Sequence, residues 1–140
     1  VYKNYPLDSS CNPSIPRPYH PSSCYAALFA RCAGEQGRFW PVLDRLYILP
    51  ELEQDAPRIL VQKAITDMSD SLGLDGEALQ GCLESERYLP QIRRDIRLGD
   101  KLGLEGTPLV FINGREVGLA SIQNVERIVR RELARRGASS

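Results

Sequence analysis

No pair of cysteines in this chain has C-x-x-C spacing, and histidine, tryptophan and methionine each occur once. Charge of one sign is also missing: 18 Lys plus Arg face 18 Asp plus Glu. No long-range field therefore draws the chain to nucleic acid or to anionic lipid. No apolar run approaches the ~20 residues that cross a bilayer, and no basic-then-apolar stretch opens the sequence. Membrane-spanning, collagen-like, disordered and generic DNA-binding classes are excluded, and no nucleic-acid partner is expected. Because the first residue is Val1 and not Met, the chain reads as processed or cut from something longer.

What is present is ordinary globular material: 140 residues, 42% hydrophobic and 26% charged, enough for one domain (1–140) with a real core. Val1-Tyr2-Lys3-Asn4-Tyr5 alternates apolar and polar residues and predicts a strand. Residues 6–23 hold five of the ten prolines and read as an irregular surface loop. So long a loop in a compact domain wants a clamp or a function. From 24 to 104 the pattern is helical. Ser22 or Ser23 caps a helix to about Ala33, Phe39–Leu49 follows with Pro50 as its stop, and Asp55-Ala56-Pro57 leads a helix bearing Val61, Ile65, Met68 and Leu72. Asp75 opens a short helix through Leu83, and Ser85 another through Leu102, ended by Gly103.

The period then changes to two. Thr107–Ile112 and Arg115–Val117 flank Asn113-Gly114, the strongest short-range hairpin signal, giving a hairpin over 107–118. Ser121 caps a last amphipathic helix over 121–137. Its Ile122, Val125, Val129 and Leu133 are expected inward and its arginines (Arg127, Arg130, Arg131, Arg135, Arg136) outward, near the negative helix end. Asp67 and Asp70, like Asp55 and Asp75, read as caps and solvated faces.

Four cysteines allow three connectivities. Cys24 and Cys32 are two helical turns apart, on the order of 12 Å, too far for a bridge. Of the two surviving schemes, Cys11–Cys24 with Cys32–Cys82 is the simpler, because Cys11 and Cys24 flank the proline-rich loop. Closing that loop is worth roughly 3 kcal/mol. Cys32 and Cys82 are expected as buried free thiols acting as small hydrophobes. Cys24, near a helix N-terminus with His20 four residues before it, has the ingredients of a reactive thiol, but a structural half-cystine beside a surface histidine is the plainer reading. Cys11, His20 and Cys24 lack an evident fourth ligand, so no metal and no cofactor is expected.

Gly106-Thr107-Pro108 is the most informative triplet. Its plain reading is a proline tolerated at a strand start. Its sharper reading is a cis Thr107–Pro108 bond that leaves the preceding backbone open to an extended peptide. Leu102-Gly103-Leu104-Glu105-Gly106-Thr107-Pro108-Leu109-Val110-Phe111-Ile112-Asn113-Gly114 resembles the C-terminal half of a DsbA-like thioredoxin-fold thiol–disulfide oxidoreductase. Cys32-Ala33-Gly34-Glu35-Gln36-Gly37-Arg38-Phe39-Trp40 is similar to that family's helical insert, with His20-Pro21 where the family has a His-Pro segment. Val1–Leu7 resembles its second core strand.

The resemblance implies an α/β fold: a thioredoxin-like sheet with a helical insert, here incomplete, its first strand and first helix absent. In the family those elements carry the C-x-x-C and precede the element that matches Val1–Leu7. The missing strand would lie between Val1–Tyr5 and Leu109–Ile112, leaving both without ladder partners. A missing N-terminal segment, or a second copy of the chain, is expected to complete the sheet, or else the two edges collapse together. By resemblance the parent is an extracytoplasmic enzyme, periplasmic or membrane-associated, acting on protein or peptide thiols and disulfides. Thr107 and Pro108 would hold the substrate peptide, and a membrane thiol oxidase of the vitamin K epoxide reductase kind is a candidate partner. The chain alone is expected to be redox-inactive, with no catalytic residue of its own. The alternative is a non-catalytic thioredoxin-fold module that binds or scaffolds a peptide.

Overall fold

A computed structural model describes residues 1–53, 56–117 and 121–137, and the chain divides into two compact units, Val1–Leu102 and Gly103–Ser140. The first is built around α1 (Ser23–Gly34), whose Phe29, Ala30, Cys32 and Ala33 are each at most 1% exposed. With Ala26 and Leu28 also buried, this helix is apolar on most of its circumference, as a central helix must be. It packs against α2 (Phe39–Leu46), α5 (Gly76–Glu84) and α6 (Leu89–Lys101). The short α3 (Pro50–Glu53) packs on α4 (Arg58–Ser71), whose Val61, Ile65 and Met68 are buried at the spacing the sequence predicts. Val42, Leu79, Ile92 and Ile96 complete the core. Each fully buried aliphatic or aromatic side chain contributes roughly 1.5–3 kcal/mol.

Several local expectations need correction. Val1–Tyr5 forms no strand. A strand is stable only where a neighbour accepts its backbone groups, and here the Asn4 N–H donates instead to the Asp95 carboxylate at 3.1 Å. Neither serine caps α1: Ser22 is left-handed (φ 74°) without a capping bond, and Ser23 Oγ is buried without a partner. Pro50 does not merely stop α2; it begins α3, where a missing N–H costs nothing. Ser85 opens no helix. It follows α5, and its hydroxyl donates to the Cys82 carbonyl at 2.8 Å. Asp75 does cap α5, accepting the Ala78 N–H at 3.0 Å. The expected cap Asp55 and the hairpin's last residue, Gly118, lie outside the described residues.

In the second unit, β1 (Val110–Ile112) and β2 (Arg115–Val117) pair antiparallel with Val110 opposite Val117, Phe111 opposite Glu116 and Ile112 opposite Arg115. Asn113 (φ 51°) and Gly114 (φ 76°) both take the left-handed conformation that a tight two-residue hairpin requires. β1 is shorter than the predicted run, because Thr107, Pro108 and Leu109 precede the ladder. Helix α7 (Ile122–Gly137) is capped by Ser121, whose hydroxyl accepts the Asn124 N–H at 3.3 Å. Its expected inward stripe is only partly covered: Val125 is half-buried, while Val129 is 38% and Leu133 63% exposed. One hairpin of three-residue strands has too little surface to cover a four-turn helix face. No described helix is long and apolar enough to cross a membrane.

Candidate functional site

The Gly106-Thr107-Pro108 segment lies on the surface of the second unit, with Thr107 and Pro108 both exposed. The Thr107–Pro108 peptide bond is cis. The segment leads into β1, which pairs with β2 and, among the described residues, has no ladder partner on its other edge. Beside the hairpin turn, Ile112, Asn113, Val129, Glu132, Leu133 and Arg136 line a hollow of about 150 Å³. The Asn113 side-chain amide donates to Glu132 at 3.2 Å and ties the turn to α7. Phe111, on β1, is 43% exposed. Together these features offer an extended chain a free strand edge, an exposed loop at its entry and an apolar contact.

The cysteines lie in the first unit, and both pairs are bonded. Cys11–Cys24 ties position 11, within the proline-rich loop, to the residue that follows the loop, with Cα atoms 6.0 Å apart. Cys32 and Cys82, expected as free thiols, are bonded to each other with Cα atoms 5.8 Å apart. The helix packing explains the correction: α1 lies directly on α5, and each sulfur side chain faces the shared interface, 1% exposed. With Cys11 and Cys24 committed to one bond, Cys11, His20 and Cys24 cannot serve as a thiolate metal site in this state.

The loop is also held by polar side chains. Asn12, fully buried, donates from Nδ2 to the Pro6 carbonyl at 2.8 Å and accepts the Ser14 N–H at 3.0 Å. The Asp8 carboxylate accepts the Ser10 N–H at 2.9 Å and reaches the Cys24 N–H at 3.4 Å, where the capping serine was expected. Tyr5 and Ser14 both donate to the Asp100 carboxylate, at 2.7 and 2.9 Å. Burial, then the Asp100 bond, raises the Tyr5 pKa.

Sequence reasoning missed a buried charge cluster. Asp95 on α6 is buried and accepts from Lys3 at 3.0 Å, Arg31 at 3.2 Å and the Asn4 N–H. Arg31 also donates from Nε to Asn4 at 2.8 Å and lies 5.1 Å over the Phe39 ring. Phe39, Trp40 and Tyr2 form an edge-to-face cluster beside it. The legible signal was Asp95 standing at i+3 from Ile92 and next to Ile96, an acid in an apolar stripe that demands a cation.

A thioredoxin family model matches residues 14–131. Among curated proteins, the chain is 31% identical over 121 residues to the Na(+)/H(+) antiporter NhaA of Herminiimonas arsenicoxydans, covering 86% of this chain and 18% of that protein. It is 33% identical over 96 residues to the Na(+)/H(+) antiporter NhaA 3 of Salinispora tropica, covering 69% and 14%. A Rickettsia typhi protein provisionally named a protein-disulfide oxidoreductase is 29% identical over 109 residues, covering 77% and 40%. The chain thus spans less than half the length of these relatives. No solved structure matches it. Because the family model runs across all but the ends of the sequence, taking in the helical unit, the Gly106-Thr107-Pro108 loop and most of α7, this chain belongs to the thioredoxin family.

Proposed function

We propose that this chain is the peptide-binding portion of a DsbA-like, extracytoplasmic thiol–disulfide oxidoreductase. The observation that carries the reading is the exposed Gly106-Thr107-Pro108 loop running into the open-edged strand β1. An extended peptide pairing there would present its cysteine to a C-x-x-C. That pair, with its strand and helix, would come from a segment outside this sequence, since the chain itself holds no C-x-x-C. A low-pKa thiolate of such a pair attacks the substrate disulfide, or its disulfide is attacked by a substrate thiolate. Thr107 and Pro108 position the peptide backbone and are not themselves reactive. The resemblance to a protein named for disulfide oxidoreductase activity supports this class.

A second reading rests on a specific observation: every cysteine here is already in a disulfide. A non-catalytic module that holds a peptide or partner through the same edge needs no free thiol. Similarity to proteins named as antiporters supports membrane association for either version. A membrane thiol oxidase is the partner proposed for the first.

Two measurements test the proposal. In an insulin-reduction assay the chain alone gives no turnover above a cysteine-free control; turnover lost on Cys11→Ser or Cys24→Ser would overturn its inactivity. Titration with an extended cysteine-containing peptide, read by backbone amide shifts, should move the resonances of residues 106–112, with Pro108→Ala weakening the effect. Shifts confined to the first unit would put the peptide site elsewhere.

A further inference from the structure

The two disulfides differ in how completely they are covered. Cys32–Cys82 is sealed between α1 and α5, each residue 1% exposed. Cys11–Cys24 is less covered: Cys24 is half-buried, and Cys11, 7% exposed, lines an open hollow of about 330 Å³ with Ser9, Ser10, Pro13 and Arg93. That volume suits a small molecule. Arg93 puts a cation on the wall of the hollow, favourable to an incoming thiolate.

We propose that Cys11–Cys24 is a thiol-exchange site for small-molecule thiols, and that it acts as a redox latch on the proline-rich loop, while Cys32–Cys82 is a permanent staple. A thiolate entering the hollow attacks Cys11 Sγ. A bond forms between that sulfur and the incoming sulfur, the Cys11–Cys24 bond breaks, and its electron pair leaves on Cys24 Sγ. Cys24 lies in the first turn of α1, where the helix N-terminus favours a leaving thiolate. The Asp8 carbonyl oxygen, 3.3 Å from Cys24 Sγ, accepts the S–H once that sulfur is protonated. The Asp8 carboxylate on the Cys24 N–H opposes the thiolate and favours this protonation. When the reagent is a dithiol, its second thiolate attacks the reagent sulfur held on Cys11 and releases Cys11. The dithiol becomes a disulfide, the protein disulfide becomes two thiols, and the two protons pass from reagent to protein.

Reduction removes the covalent tie and leaves the loop on hydrogen bonds alone, among them those of Asn12, Asp8 and Asp100 and the Tyr19 and His20 N–H groups on the Leu7 carbonyl, so residues 13–21 gain freedom while the helical core keeps its staple. The exchange does not depend on the peptide-binding reading above, and its outcome leaves that reading untouched.

The test uses the native chain. Graded dithiothreitol without denaturant, followed by alkylation and peptide mapping, should label Cys11 and Cys24 to completion while Cys32 and Cys82 stay bonded and the circular dichroism is unchanged. Amide hydrogen exchange should accelerate within residues 13–21. A glutathione pulse quenched early should leave the tripeptide on Cys11. Simultaneous reduction of both bridges, resistance of both until the chain unfolds, or glutathione found on Cys24 would each overturn the proposal.

Discussion

Arg31 and Asp95, 64 positions apart in sequence, meet at 3.2 Å, with the Asp95 side chain 3% exposed and that of Arg31 15%. This pair joins α1 to α6 and, through Asn4, fastens the N-terminal segment to both. A buried carboxylate is tolerated only when its charge is matched and its lone pairs are occupied. Lys3, Arg31 and the Asn4 N–H do both.

Asp95→Ala should therefore destabilise the first unit by about 3 kcal/mol or more in denaturant unfolding, because Arg31 is left buried without its counter-charge. Lys3 is 52% exposed at its side chain, so Lys3→Ala should cost less than about 1 kcal/mol. Equal costs for the two variants would show that the pair is not effectively desolvated.

The two disulfides differ in the loops they close, 13 residues for Cys11–Cys24 and 50 for Cys32–Cys82. Chain entropy gives about 3 kcal/mol for the first and about 4 kcal/mol for the second. The double variant C32A/C82A should have the lower unfolding midpoint, lowered further by packing lost at the α1–α5 interface. A midpoint at or above that of C11A/C24A would contradict this order.

Four tyrosines, Tyr2, Tyr5, Tyr25 and Tyr88, have pKa values raised above the ordinary 10.0, burial being the first cause in each. Hydrogen bonds to Tyr47, Asp100 and Glu35 add to it for Tyr2, Tyr5 and Tyr88. Raised values mean that the folded state binds the phenolic protons more tightly than the unfolded state. The stability they confer is full below pH 10.0 and is lost as pH climbs through the raised values. Tyrosinate absorbance should lag behind that of the denatured chain, and thermal midpoints should fall above pH 10.0. A native titration superimposable on the denatured one would refute this.

Asp75 caps α5 and is also clasped by Gln36, whose amide oxygen accepts the Asp75 N–H at 2.8 Å and whose Nε2 donates to the Asp75 carbonyl at 3.2 Å. Asp75→Ala removes only the side-chain cap and should cost ~1 kcal/mol, with Asp75→Asn largely restoring it. Loss in both variants alike would assign the role to charge and not to the cap.

Gly114→Ala forces a Cβ into a left-handed turn position (φ 76°) and should destabilise the hairpin by roughly 1 kcal/mol. The check is weakening of the cross-strand amide signals at Val110 and Val117, with those of α1 unchanged.

The sequence by itself determined whatever depends on neighbours in the chain. The Val61, Ile65, Met68 stripe, the Asp75 cap, the Asn113-Gly114 turn and the clamp across the proline-rich loop are settled within about a dozen residues, where propensity, periodicity and turn chemistry act. The fate of Val1–Tyr5 was not among these, since alternation describes a strand only if another strand is alongside, and here α6 supplies a carboxylate instead. Only the tertiary structure decided that Cys32 meets Cys82, that Asp95 is matched by Arg31, and that Val129 and Leu133 remain exposed on α7. Each of these is a meeting, or a failure to meet, between elements far apart in the chain. Which elements pack together depends on how apolar area over the whole unit is buried, and no local pattern encodes that choice.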